Sequence, residues 1–446
     1  MRLKYVMTTF PANVETVAEG EAEFVADPGI ENQVINLYPG VEYQELEGFG
    51  GAFTESAAYV YSKMDEESRK ELLGFCFSDE GMGYTLARMH LDSCDFSLSQ
   101  YEAMGDPEDK DLESFSLERM ERYILPFFQD AEEYSGRKLE VMVSPWSPPA
   151  FMKTNGERSH GGKLRKERRE LWARYLCRYI TELRKRGVDV RRLSVQNEPA
   201  AVQAWDSCIY TASEEKEFLR DYLHPALLSS ALGDVEVYIW DHNKERAFER
   251  ALDTIDEDTD KLISGIAVHW YSGDHFEALQ LLHDRFPDKK ILFSEACIEY
   301  YKFDPSNVLG SAQKYAHDII GDFNSGMTSF YDWNLVLDSQ GGPNHVRNYC
   351  DAPFMYDMGK GELVKRPAAS YLWHFSHFLR PGARRIGKSV YTSDLEVTAF
   401  RNPGGDVAAI VLNRTKEDRK AVIRLSGQVC PVECPADSIL TLVVAI

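Results

Sequence analysis

From about residue 46 to residue 335, short apolar runs alternate with longer stretches in which apolar residues return at helical spacing. Eight apolar runs stand out, at 46–51, 84–89, 139–144, 192–196, 235–240, 264–269, 290–294 and 327–331. Between them the pattern predicts helices over 117–134 after Ser116, over 166–186 ended by Gly187, and over 214–232 after Ser213. In the last of these, Phe218, Leu219, Tyr222 and Leu223 recur at a spacing that buries one stripe and leaves charge outside. Strand and helix alternating in this way predict a parallel sheet covered by helices. Eight strands are the number that closes a (β/α)8 barrel, so the fold class expected is α/β.

Beyond Arg380 the helical period stops. Val397-Thr-Ala-Phe400 and Val407-Ala-Ala-Ile-Val-Leu412 flank the turn cluster Asn402-Pro-Gly-Gly405, which predicts a hairpin. Some 60 residues bury little surface alone. Residues 1–40, with Thr8, Val14, Val25, Val34, Ile35 and Leu37 in strand-like runs, would supply the missing strands of an accessory β-sandwich built from both ends of the chain. The division expected is 1–42 for amino-terminal sandwich strands, 43–380 for the barrel and 381–446 for carboxyl-terminal sandwich strands.

Composition narrows the function. A net charge of -22 over 446 residues argues against nucleic acid and against stable association with anionic membranes, because phosphate binding needs a basic surface. The first ten residues carry no apolar run long enough for a signal peptide and no 18-residue apolar stretch follows, so a cytoplasmic location is expected. The eight cysteines include no C-x-x-C pair, and Cys430 and Cys434 read as reduced thiols in a terminal β region.

A barrel of this kind places its chemistry at the carboxyl ends of its strands. There the runs close with Gly50-Gly51, Arg88, Ser144-Pro-Trp146, Asn197-Glu198, Asp241-His242, His269-Trp270-Tyr271, Glu295 and Asp332-Trp333-Asn334. Carboxylates, amides and aromatic rings are what a sugar site needs. Glycoside hydrolysis uses two carboxyl groups across the anomeric carbon, and Glu198 and Glu295, closing the fourth and seventh runs, can meet across the mouth. Trp146, Tyr271 and Trp333 can stack on the C–H faces of a sugar. The stretch Gly156-Glu-Arg-Ser-His-Gly-Gly-Lys-Leu164 fails as a phosphate loop, because an extra glycine displaces the lysine and no Ser or Thr follows. Neither H-E-x-x-H nor G-x-S-x-G occurs. His90, His242 and His269 read better as rings that hydrogen-bond catalytic carboxylates than as metal ligands. No cofactor or metal is required.

These motifs together resemble glycoside hydrolase family 30, in its glucosylceramidase (acid β-glucosidase) branch. The resemblance is carried by Phe49-Gly-Gly-Ala-Phe-Thr-Glu55, Ser93-Cys-Asp-Phe-Ser97, Ser144-Pro-Trp-Ser-Pro-Pro149 with Lys153-Thr-Asn-Gly156, Val195-Gln-Asn-Glu-Pro199, Ala267-Val-His-Trp-Tyr271, Ser294-Glu-Ala-Cys297, Asp332-Trp-Asn-Leu335 and Gly341-Gly-Pro-Asn-His-Val-Arg-Asn348. It implies a barrel with a sandwich, retention at a β-linkage, Glu198 as acid/base and Glu295 as nucleophile; in that role Glu198 must start protonated, which the charge of a nearby Glu295 would favour by raising its pKa. It further implies that Asp95, Trp146, Asn197, Trp333 and Asn348 hold the nonreducing sugar, with Tyr271 near the nucleophile and Arg88 supporting it; His269 is expected in support as well. The partner implied is a β-glycoside, most simply a terminal β-glucoside. A β-xylosidase, a β-fucosidase or a β-1,6-glucanase of the same family is the alternative, and a sugar-binding barrel without catalysis is a second. Lysosomal members carry amino-terminal disulfides, whereas no cysteine here precedes Cys76, so smaller soluble glucosides are expected rather than lipids.

Overall fold

The computed structural model of the protein describes residues 1–446. The eight predicted runs form the strands of one closed parallel barrel: β1 (Gly48–Ala52), β2 (Leu86–Leu91), β3 (Glu140–Pro145), β4 (Asp189–Ser194), β5 (Glu236–Asn243), β6 (Gly265–His269), β7 (Lys290–Glu295) and β8 (Ser329–Asn334). The ladder runs in chain order and closes through β8 and β1. Leu86, Met142, Tyr238, Ala267, Leu292 and Tyr331 fill the inside as a packed layer. Beneath it Arg192, 4% exposed, is held by Glu47, Glu140 and Glu236 at 3.1, 3.1 and 3.5 Å. Gly50 is required where β1 passes β2, since a Cβ there would overlap the Leu86 carbonyl.

The predicted helices form, with three local differences. The helix expected over 117–134 breaks at Tyr123 into Glu118–Arg122 and Ile124–Ser135. The one expected over 166–186 begins with a 3-10 turn, Lys166–Arg168, and continues as Arg169–Lys185, whose Trp172, Tyr175, Leu176, Tyr179, Ile180 and Leu183 face the barrel. The third starts earlier than Ser213 suggests. Thr211 caps Ala212–Phe218 through a reciprocal capping box with Glu214. It then loosens into the π-turn Leu219–Leu223 before His224–Ser229. Pro225, which has no N–H to give, explains the wider turn ahead of it.

The two ends of the chain share one ten-stranded sheet that contains Arg2–Thr9, Thr16–Glu23 and Val34–Glu45 from the amino end and the strands from Arg384 to Val444. The hairpin predicted around Asn402–Gly405 is present, with Glu396–Arg401 paired to Val407–Asn413. Its inner face buries Leu3, Ile35, Leu37, Val397, Val411, Ile423 and Leu440 as a core separate from the barrel's. Cys430 and Cys434 are free and buried on the strand Gln428–Cys434. No helix is long and apolar enough to cross a membrane.

Candidate active site

Three register slips at the mouth of the barrel set up the site. Between β5 and β6 the pairing passes over Asp241, between β6 and β7 over Ser294, and between β8 and β1 over Trp333. A bulge of this kind turns one side chain out of the alternation and re-aims it. The first two bulged residues meet, Ser294 Oγ donating to Asp241 Oδ1 at 2.6 Å. Trp240, Asp241 and Glu198 adopt left-handed backbone at φ 73°, 48° and 47°, a conformation costly for non-glycine residues and concentrated at functional sites.

On this frame the polar groups converge. Arg88, fully buried, donates through Nη1 to Glu295 Oε2 (2.6 Å), through Nη2 to Asn197 Oδ1 (2.9 Å) and Asp241 Oδ2 (3.0 Å), and through Nε to Ser144 Oγ (3.2 Å). The Tyr271 hydroxyl donates to the other oxygen of Glu295 at 2.9 Å. His269 lies between two carboxylates, Nε2 3.0 Å from Asp241 Oδ1 and Nδ1 3.4 Å from Glu198 Oε1. Burial works against a charged ring there, yet the Glu295 charge and the bonds to Asp241 and Glu198 raise His269 to about 9. Asp241 is held far below the usual carboxylate range: burial opposes its charge, but Arg88 and His269 outweigh it.

Burial pushes both glutamic acids up. At Glu198 the His242 and His269 rings overcome it and draw the group down, whereas Glu295 stays above the ordinary range, burial and the Glu198 charge outweighing His269 and Arg88. That order reverses the sequence expectation of a raised Glu198. The cause is the pair of rings placed against Glu198, His242 and then His269, which reading along the chain does not reveal. The histidines also divide. His90 hydrogen-bonds only to backbone, accepting from Glu55 N at 3.0 Å and reaching Asp92 O at 2.5 Å, and His242 Nε2 is 3.9 Å from Glu198, too far for a hydrogen bond. Of the three, only His269 comes within hydrogen-bonding reach of Glu198.

The pocket these groups line has a volume of about 160 Å3 and is bordered by every sugar-contact residue expected from the sequence: Asp95, Trp146, Asn197, Tyr271, Trp333 and Asn348. Asn348 Nδ2 donates to Asp95 Oδ2 at 3.1 Å, and burial together with the Glu295 charge lifts Asp95 to about 8. The Trp146 and Trp333 rings stack with centroids 5.1 Å apart, and the Arg88 guanidinium lies over both. Reading the chain missed Asp241 and Ser294 as site members, and also the rim formed by Gln203, Trp205, Glu299, Tyr301 and Lys302. Asp241 closes the fifth run and could have been found there. The rim residues carry no motif: Glu299 ends the short strand Ile298–Glu299, and the others lie on loops.

A closed (β/α)8 barrel whose mouth gathers two facing carboxyls, a buried arginine and paired indoles defines a hydrolase of O-glycosidic bonds. Residues 46–379 match the glycosyl hydrolase family 30 TIM-barrel domain and residues 382–442 the family's beta sandwich domain, and the chain belongs to that family. It is 33% identical to the lysosomal acid glucosylceramidase of Mus musculus over 404 residues, 86% of this chain and 78% of that one. It is 23% identical to the endo-1,6-beta-D-glucanase neg1 of Aspergillus fumigatus, over 89% of this chain and 84% of that one. Among solved structures, SrfJ from Salmonella typhimurium superposes with a TM-score of 0.96 at 38% identity, covering 100% of both chains.

Proposed function

We propose that the protein is a retaining β-glucosidase in which Glu295 attacks the anomeric carbon and Glu198 serves as acid and then base. The observation that carries this reading is the asymmetry of the two carboxyls. Glu295 receives hydrogen bonds from Arg88 and Tyr271, which stabilise a carboxylate aimed into the pocket, while Glu198 has a histidine beside it that can follow its protonation. The two glutamic acids repel as a charged pair and share one proton; their surroundings favour it on Glu295, and the working form is the one that carries it on Glu198. Glu295 then displaces the aglycone oxygen, which takes the Glu198 proton. In the second step Glu198 removes a proton from water as the water opens the glycosyl ester, and Glu295 leaves as carboxylate. Asp95 and Asn348 are suited to the sugar hydroxyls, and Trp146 and Trp333 to its ring.

The rim supports a saccharide or another small polar group as aglycone. Glu299 and Lys302 form an ion pair at 2.6 Å, and Gln203 and Asn243 add amides, so the entrance offers little apolar surface to a lipid beyond Trp205 and Tyr301. The same rim favours, as a second reading, a β-1,6-linked glucan whose next sugar stacks on Tyr301, a ring 69% exposed.

Aryl β-glucoside, xyloside, fucoside and galactoside, compared under identical conditions with a β-1,6-linked glucan, test the substrate; a preference for xyloside or fucoside would refute the glucosidase reading. For the roles, Glu295→Gln should abolish measurable turnover. Glu198→Ala should lose about 10²–10⁴-fold on poor leaving groups and recover part of the rate with azide. Near-native turnover by Glu295→Gln would remove Glu295 from the mechanism.

A further inference from the structure

The wall of the pocket contains a thiol pair that the glycosidase mechanism does not use. Cys297 lies two residues beyond Glu295 and borders the pocket, while Cys350 sits behind it on the short strand Cys350–Asp351, paired with Ile298–Glu299. Their sulfurs are 3.3 Å apart. Cys297 is 4% exposed and Cys350 is fully buried. Cys297 Sγ also lies 3.4 Å from the Tyr271 hydroxyl, the same hydroxyl that donates to Glu295. Cys350 in turn approaches the Asn348 carbonyl at 3.8 Å, and the Asn348 side chain holds Asp95. The pair therefore touches both sides of the sugar site, one through each cysteine.

We propose that Cys297 and Cys350 form an oxidation site for hydroperoxides, with Cys297 as the attacking and Cys350 as the resolving thiol, and that the disulfide formed slows the adjoining active site. With hydrogen peroxide, the Cys297 sulfur attacks one peroxide oxygen and the O–O bond breaks. The hydroxide that leaves takes up the thiol proton, passed through the Tyr271 hydroxyl, as the first water. Cys297 is then a sulfenic acid. The Cys350 sulfur attacks it, the S–S bond forms, and the departing hydroxide takes the Cys350 proton as the second water. Two thiols and one peroxide give one disulfide and two waters, the sulfurs losing the two electrons that the peroxide gains.

Forming the bond draws the sulfurs from 3.3 Å to about 2.05 Å. Cys297 is then pulled away from Tyr271, and Cys350 pulls on the segment that carries Asn348. Displacing positioned groups by about 1 Å costs up to about 10²-fold in rate. Burial pushes both thiols up, Cys297 strongly, so oxidation requires excess peroxide and time.

The test treats the full-length protein with hydrogen peroxide, maps its peptides without reduction, and follows aryl glucoside turnover before and after dithiothreitol. The expected result is a cross-linked peptide joining Cys297 to Cys350, with a matching activity loss of ten- to a hundredfold that dithiothreitol reverses. Cys350→Ala should keep its activity through the same peroxide treatment, read before dithiothreitol is added, and Cys350→Ser replaces it if the alanine variant does not fold. A map in which Cys297 is unmodified, or over-oxidised without a link to Cys350, overturns the proposal. So does equal, reversible inactivation of wild type and variant. The peptide map reads the bond itself, so it stands whichever glycoside the enzyme prefers.

Discussion

Arg88 places a rigid planar set of donors at the centre of the site, and four neighbours accept from it: Glu295, Asn197, Asp241 and Ser144. Lysine would supply the charge but not the fork. Arg88→Lys should therefore lower kcat/KM by up to about 10²-fold while the protein still folds. Arg88→Met should go further, because Asp241 and Glu295 would be left as buried charges without their partner. A loss of about 3–5 kcal/mol in urea unfolding is expected for such a broken pair, and a loss near zero would mean that the cluster serves chemistry alone. The glutamic acids were legible at this scale because their positions at strand ends suffice to place them. The proton distribution was not, since it depends on His242 and His269 reaching Glu198 from two other strands.

At the scale of elements, the barrel mouth is held from outside by a buried triad. Lys244 follows β5 directly and its Nζ lies 2.8 Å from Asp318 and 3.0 Å from Asp322, both on the helix Val308–Asn324, with all three side chains fully buried. The triad fixes the end of β5, which carries Asp241, against that helix. Lys244→Met should cost about 3–5 kcal/mol by thermal or urea unfolding, because two carboxyls lose their cation. Adding Asp318→Asn and Asp322→Asn to that variant should restore most of the loss; failure to restore would point to packing of the lysine stem instead. The eight strands were legible from apolar runs bounded by turn residues. The break at Tyr123, the π-turn at Leu219–Leu223 and the three bulges were not, because each is set by what the neighbouring element demands.

For the whole molecule, barrel and sandwich are joined partly through His374, a fully buried ring on the helix Pro367–Ser376. Its Nε2 meets Thr8 Oγ1 and its Nδ1 meets Thr441 Oγ1, each at 2.8 Å, so one ring ties the helix to strands from both ends of the chain. Burial, and secondarily the neighbouring His377, lowers its pKa to about 3. A histidine whose folded value lies below its unfolded value of about 6.5 contributes stability that is complete above that pH and is lost as pH falls toward 3. The wild-type melting temperature should decline over this window more steeply than that of His374→Phe, although the variant starts lower at neutral pH, with the Thr8 hydroxyl unpaired and Thr441 left only its bond to the backbone carbonyl of residue 374. Parallel curves would show that the acid response arises elsewhere.

By itself the sequence determined the alternation that makes a barrel, the strand-like ends that complete a second sheet, and the residue types that close each strand. Those are local properties, written in periodicity and turn chemistry, and they survive without knowledge of neighbours. Only the tertiary structure decided which strand-end groups touch. It turned Asp241 and Ser294 toward each other through bulges, set His269 against Glu198, and brought Cys350 behind Cys297 across 53 positions. Such contacts arise from strand register and loop packing, where a shift of one residue turns a side chain to the other face, and no pattern along the chain records that choice.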